Sequence, residues 1–231
     1  GMTLGWPNNR VEKYLDQPFD YPSTFAGKKV EGYSLIGAQW GYRTWKGTSA
    51  GDGILRTDAD LVAYWAYLTD LASKAGTTPL YNAGDANIST RAGMRKGMMA
   101  YEDIAGDRNS NARTIGGQNG QIIDDQDYVE LVKRNQSYGI ATNLSANWKS
   151  ITLMAQVQTS WGGWNSIDRV KQGTSSPNAG WAQVAYLTDM YDEIDNPNGK
   201  YPNMAFYDAA YANSDFWTMP SFRCVVRSLS I

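Results

Sequence analysis

The 231 residues predict an all-β chain, mainly antiparallel strands and hairpins, with about two helices in its loops, near 58–75 and 178–191. Three observations carry this. The acids are lopsided, 18 Asp against 5 Glu, amid many Asn, Ser, Thr and Gly. Asp, Asn and Gly form turns, whereas Glu is the helix-favouring acid. Residues 138–161 alternate apolar and polar almost without fault, and only two segments carry helical spacing.

The first helix is signalled at both ends. Thr57 with Asp60 three residues on makes a capping-box start. Leu61, Tyr64, Trp65, Leu68, Leu71 and Ala72 then recur at helical spacing, and Gly76 suits the stop. The second, roughly Asn178 to Tyr191, places Trp181, Val184, Leu187 and Tyr191 on one stripe. It follows Pro177 and runs into the turn-rich Asp195-Asn196-Pro197-Asn198-Gly199.

A two-residue turn at Lys149-Ser150 would make a hairpin whose facing residue numbers sum to 299. One face then carries Tyr138, Ile140, Thr142, Leu144, Ala146 and Trp148 opposite Trp161, Thr159, Val157, Ala155, Leu153 and Ile151. The other carries Gly139, Ala141, Asn143, Ser145 and Asn147 opposite Ser160, Gln158, Gln156, Met154 and Thr152, with Met154 its one large apolar member. The first face is apolar with aromatics at both ends, and the second is small and polar. A soluble sandwich would bury the first face under another sheet. A membrane barrel would turn it to lipid, with the aromatics as interfacial girdles. Eleven residues at about 3.3 Å each, tilted by about 40°, rise roughly 28 Å, near the ~25 Å apolar band of such barrels. In water this face needs cover, which residues 57–76 folded back as a helix, or a second copy, are expected to supply.

Composition excludes much chemistry. The chain has no histidine, so Ser-His-Asp, Cys-His and His-zinc sites are out. Cys224 is the single cysteine, leaving no internal disulfide or cysteine cluster. The net charge of -2 gives no general attraction to nucleic acid. No stretch approaches the roughly 18 apolar residues of a spanning helix. Gly1 before Met2 reads as an expression scar, and no signal peptide is evident.

Three further segments resemble a known family. Glu31-Gly32-Tyr33-Ser34-Leu35-Ile36-Gly37-Ala38-Gln39-Trp40-Gly41-Tyr42 is similar to the "EGYPIGSFYGY" stretch of SusC/RagA-type TonB-dependent outer-membrane transporters. Ala100-Tyr101-Glu102-Asp103-Ile104-Ala105-Gly106-Asp107, leading through Gly120-Gln121-Ile122-Ile123-Asp124-Asp125 to Tyr138-Gly139, resembles that family's "KYKDVNGDGKIDDxD…YG". Asn196-Pro197-Asn198-Gly199-Lys200-Tyr201-Pro202, then Ser214-Asp215-Phe216-Trp217 and Val226-Arg227-Ser228-Leu229-Ser230-Ile231, resembles "NPNAKYPR…SDFW…LRNLTLGY". The landmarks keep the family's order from about residue 31 onwards.

The resemblance implies that 1–231 is one unit, a partial transmembrane β-barrel segment with long extracellular-type loops and no plug domain. It implies a place in the outer membrane, within an importer of oligosaccharide or peptide. The implied partners are a SusD-like surface lipoprotein and TonB, with self-association expected of the isolated piece. The alternative is a stand-alone soluble, aromatic-rich carbohydrate-binding β protein.

Other motifs rank below that reading. Gly47-Thr48-Ser49-Ala50-Gly51 matches a nucleophile elbow, but Ser49 has no imidazole, so no Ser49-dependent hydrolase activity is expected. The run Asp103, Asp107, Asp124, Asp125 and Asp127 invites a calcium reading, yet Ala105 occupies a position where a ligand oxygen is needed. A solvated loop is expected there instead. A glycosidase pair among 23 acids would meet the spacing by chance. No enzyme activity, cofactor or metal is therefore expected. Trp161, Trp164 and Trp181 are the candidate substrate-binding residues, as a platform for stacking sugar rings, against a girdle-and-core role for the same side chains.

Overall fold

The computed structural model describes residues 1–5, 9–14, 29–35, 38–109, 112–133, 136–166, 189–203 and 212–230. Its strands are β1 (Met2–Gly5), β2 (Gln39–Gly41), β3 (Leu80–Tyr81), β4 (Arg108–Asn109), β5 (Thr114–Ile115), β6 (Gln121–Ile122), β7 (Val129–Val132), β8 (Ser137–Trp148), β9 (Ile151–Ser166) and β10 (Thr218–Ser230). Helix α1 (Asp58–Ala75) lies between β2 and β3, and the single turn α2 (Asp124–Asp127) between β6 and β7. The chain is thus mostly strands in antiparallel sheets, with one long helix. The exception is the short parallel pair β3–β6. Among the described residues the main sheet is open, in the order β1-β8-β9-β10, and forms no closed barrel.

The hairpin register is the one the alternation predicts. Trp148 pairs with Ile151, Leu144 with Ala155, Asn143 with Gln156 and Tyr138 with Trp161. Asn143, Ser145, Gln156 and Gln158 therefore share one face, and Leu144, Leu153, Ala155 and Val157 the other, because successive side chains alternate across a strand. Lys149 turns the chain at a positive φ of 51°.

β9 and β10 extend the pattern through two register shifts. Trp161 lies opposite Phe222 and Trp164 opposite Pro220, so two glycines face the single Ser221. Gly162 and Gly163 both have positive φ, 76° and 73°, and form the bulge. Three residues apart, two tryptophans on a regular strand would point to opposite sides. The extra residue brings both to register positions on one face.

The buried core lies elsewhere. It gathers Tyr42, Ile54, Leu55, Tyr64, Leu68, Tyr81, Met98, Met99, Tyr101, Ile122, Tyr191 and Trp217, almost all from loops and α1. α1 starts at the predicted capping box, Thr57 with Asp60, and ends at Gly76 in the left-handed region. Its buried stripe is Asp60, Tyr64, Leu68 and Ala72. The helix packs on the loops and leaves the hairpin's apolar face bare, which corrects the expectation that 57–76 would cover it. The reason is chemical: α1 presents tyrosines whose hydroxyls serve loop backbone. Tyr64 donates to Tyr101 O at 2.9 Å and accepts from Tyr101 N at 3.1 Å. Tyr67 accepts from Asp103 N at 3.1 Å. Outside the helix, Tyr81 of β3 donates to Met99 O at 2.6 Å, and the loop residue Tyr191 to Arg56 O at 2.8 Å. A core with so little regular structure needs such partners for its buried peptide groups.

Of the expected second helix, residues 178–188 lie outside the described residues. Its far end is corrected: Met190 bridges to Tyr201, and Tyr191 N donates to Tyr201 O at 2.7 Å. The turn at Asn196–Gly199 folds the chain back, and that pairing takes the backbone groups a helix would need.

Aspartates act as loop staples, which explains their excess over Glu: the shorter carboxylate reaches nearby backbone donors. Asp60 accepts from Ser49 N, Ser49 Oγ, Arg56 N and Thr57 N, at 2.7, 3.0, 3.0 and 2.9 Å. Burial pushes its carboxyl up, but these donors together outweigh that and hold it below the usual range. Ser49 is therefore a fastener of the helix start. Replacing Asp60 with Ala should cost about 2–3 kcal/mol, and Ser49→Ala about 1. Urea unfolding followed at 222 nm checks both, and equal stability of Asp60→Ala and wild type would refute the staple.

The expectation of a solvated acidic loop is corrected for Asp103 and Asp127, while Asp107 is exposed and the side chains of Asp124 and Asp125 lie outside the described ones. Asp103 and Asp127 are both fully buried. Asp127 accepts from Ile104 N and Ile123 N at 2.7 and 2.8 Å, and from Ala105 N at 3.3 Å. Asp103 Oδ2 accepts from Asn119 N at 2.9 Å and from Gly120 N. Asp107 pairs with Gln126 instead, at 2.7 Å. The stretches 103–105 and 119–127 close around this pair, and the carboxyls accept from their backbone amides. Among the described residues no three acids gather at one point.

Candidate functional site

The four-stranded sheet is the surface with chemistry to spare. Its two faces differ in kind, as the sequence dictates residue by residue. The first face carries Met2 and Leu4 from β1, Ile140, Leu144 and Trp148 from β8, Leu153 and Val157 from β9, and Phe222 and Val226 from β10. Leu144, Trp148, Phe222 and Val226 are 58%, 67%, 73% and 60% exposed. Large exposed apolar patches of this kind mark surfaces that meet a partner, a ligand or lipid. At one end Tyr138, Trp161 and Phe222 form a row across three strands, with Tyr138 and Trp161 stacked at 6.3 Å. At the other end stands Trp148, its ring under the Lys149 ammonium at 4.8 Å.

The second face is built for hydrogen bonding. Asn143, Ser145, Asn147, Thr152, Gln156, Gln158 and Ser160 alternate along β8 and β9. β10 adds Arg223, opposite Ser160, and Arg227, whose Nε donates to Gln158 Oε1 at 3.0 Å. A shallow cavity of about 360 Å³ opens here, lined by Asn143, Ser145, Met154, Gln156 and Ser228 of this face together with Gly1, Leu144 and Ala155. The strands β1, β8, β9 and β10 contain these two arginines and no Asp, Glu or Lys.

Trp161 and Trp164 are brought together, half-exposed, by the Gly162–Gly163 bulge. They stand on the apolar face, away from the polar cavity. Trp181 lies outside the described residues. Sequence reasoning missed Arg223 and Arg227, although the alternation Phe222, Cys224, Val226 could have assigned Arg223 to the polar side. It also missed β1 as a partner of β8.

A second open cavity of about 400 Å³ lies beside the start of α1, lined by Ser49, Ala50, Arg56, Thr57, Pro197 and Asn198. The Arg56 guanidinium there is engaged by Asp52 at 2.7 Å and by Gly199 O at 2.8 Å. Its groups are used in holding the loops. Among the described residues, no helix is long and apolar enough to cross a membrane. No protein-family model, no curated protein and no solved structure matches this chain.

Proposed function

We propose that this chain is part of an outer-membrane importer of the SusC/RagA type, taking up an oligosaccharide or peptide. The sheet β1-β8-β9-β10 is an arc of barrel wall, and the tyrosine-rich loop core with α1 is its extracellular-side elaboration. One observation carries the reading: strands of 12, 16 and 13 residues present an exposed apolar face edged by aromatics and, behind it, a mainly polar face broken by Ala141, Met154 and Val225. Spanning strands need about 9–11 residues, and soluble strands average about 5–6. Tyr138, Trp161, Trp164 and Phe222 then sit at one interface as a girdle, and Trp148 at the other. The function is transport without covalent chemistry. A SusD-like lipoprotein and TonB are the partners of the complete machine.

Refolding the purified chain into bilayer nanodiscs tests this. Lipids brominated on the acyl chain should quench the tryptophans, and Trp148→Phe with Trp161→Phe should remove much of the quenching. Leu144→Asp should lower incorporation by about tenfold, the cost of a carboxyl facing hydrocarbon being at least ~1.4 kcal/mol. A chain that stays monomeric in water, ignores bilayers and binds sugar through Trp161 would instead establish the soluble carbohydrate-binding alternative.

A further inference from the structure

The polar face of the sheet carries a charge bias that neither barrel geometry nor lipid contact requires. Lipid excludes charge from the apolar face only. The face behind it is free to hold either sign, in a chain with 23 acids and 21 bases. It holds two arginines and no carboxylate. Arg223 lies opposite Ser160 in the ladder, and Arg227 bonds Gln158, the next residue of β9 on the same face. Among the described residues neither has an acidic partner. The bond from Arg227 Nε to Gln158 orients the guanidinium and leaves its terminal nitrogens for a planar oxyanion. Two rungs away, Asn143, Ser145, Gln156 and Ser228 line the shallow cavity.

We propose that this face is a binding surface for an acidic oligosaccharide, with Arg223 and Arg227 taking its carboxylates or sulfates and Asn143, Ser145 and Gln156 its ring hydroxyls. This rests on the importer reading, in which the polar face lines the lumen. Two features favour sugar over peptide. An extended peptide is recognised by adding to a sheet edge, where backbone groups are unpaired, with pockets for its side chains. The groups that project from this face are side chains, and β8 and β9, which carry its amides, are the inner strands of the sheet, each bonded to a neighbour on both sides. The face also lacks apolar pockets, Met154 and Val225 being its larger apolar members. Asn143, Ser145 and Asn147 on β8 and Gln156, Gln158 and Ser160 on β9 stand at successive same-face positions, about 7 Å apart along each strand, and match an array of sugar hydroxyls.

The test uses the full chain in nanodiscs, with insertion read by bromolipid quenching in the same sample. Calorimetry compares an oligogalacturonate, a neutral maltooligosaccharide of equal length and a polyglutamate peptide. The oligogalacturonate should bind at least about tenfold tighter than the neutral sugar, a difference of ~1.4 kcal/mol. It should also bind tighter than the peptide. Arg223→Gln with Arg227→Gln should reduce its affinity to the neutral level, while Arg223→Lys with Arg227→Lys keeps part of the preference. Insertion with equal binding of both sugars, or with unchanged preference in the Gln pair, overturns this inference and leaves the importer reading standing. Equal or tighter binding of polyglutamate assigns the face to acidic peptides and overturns the sugar assignment. Failure to insert overturns both, since the face would then line no lumen.

Discussion

A methyl group at position 120 should unseat helix α1 from the loops beneath it. Gly120 has a φ of 74°, a left-handed conformation that costs an L side chain roughly 1–2 kcal/mol. Its α-carbon also lies against the helix, where an added Cβ would press into Leu68 O, Ala72 Cβ and Ala72 N. Two of those three atoms are backbone, so neither can swing aside. Overpacking of this kind costs a further 1–3 kcal/mol or so. Any shift of the loop also pulls Gly120 N from the Asp103 carboxyl. Gly120→Ala should therefore lose about 2–4 kcal/mol, read as an earlier 222 nm transition in urea. Gly117→Ala is the control, since an added Cβ there meets nothing within 4 Å. It should change stability by less than about 0.5 kcal/mol. Equal behaviour of the two variants would refute the close packing of loop and helix.

The second large effect is on pH. Burial pushes the Asp127 carboxyl up to about 8, and the charge of Asp103 beside it adds to the rise. Burial also raises Asp103. Unfolded, both return to the ordinary carboxylate range near 4. A raised folded value means that the fold holds protons the unfolded chain has released. The pair's contribution is thus complete below about pH 4 and is lost as pH climbs through about 8. Asp60, Asp189 and Asp192 are lowered and act in the opposite sense, being lost only as pH falls below the ordinary range. The loop core should therefore be more stable at pH 5 than at pH 8.5, by on the order of a few kcal/mol. Asp103 Oδ1 is buried without a donor. Asp103→Asn can place an amide N–H there toward Asp127 and keep the oxygen that accepts from Asn119 and Gly120. That variant should flatten the slope between pH 5 and 8.5. Greater stability at pH 8.5, or an unchanged slope in Asp103→Asn, would refute the buried Asp103 and Asp127 carboxyls as the source of the pH dependence.

The features legible in the sequence are those whose physics is local. The capping box at Thr57 and Asp60 and the stop at Gly76 each involve groups within one helical turn. The register of β8 on β9 follows from period 2 and a two-residue turn, so residue numbers alone assign each facing pair. Alternation also separates the apolar face from the polar one, because burial and solvation act on every second residue alike.

Tertiary structure decided the rest. An amphipathic stripe shows that α1 must bury a face, but apolar burial is non-directional and does not choose between hairpin and loops. The hydroxyls of Tyr64 and Tyr67 made that choice, Tyr64 bonding the backbone of Tyr101 and Tyr67 accepting from Asp103 N, both far along the chain. Asp103 and Asp127 looked like solvated loop acids, since nothing local marks a carboxylate for burial. They are buried because chain segments that meet only in the fold supply their N–H donors. β1 and β10 pair with strands far along the chain, β8 and β9, a choice set by hydrogen bonds at open strand edges. Trp161 and Trp164 share a face only because the ladder with β10 accommodates Gly162 and Gly163 as a bulge. Strand pairing, loop closure and buried charge depend on contacts between residues far apart in sequence, and those contacts exist only once the chain has folded.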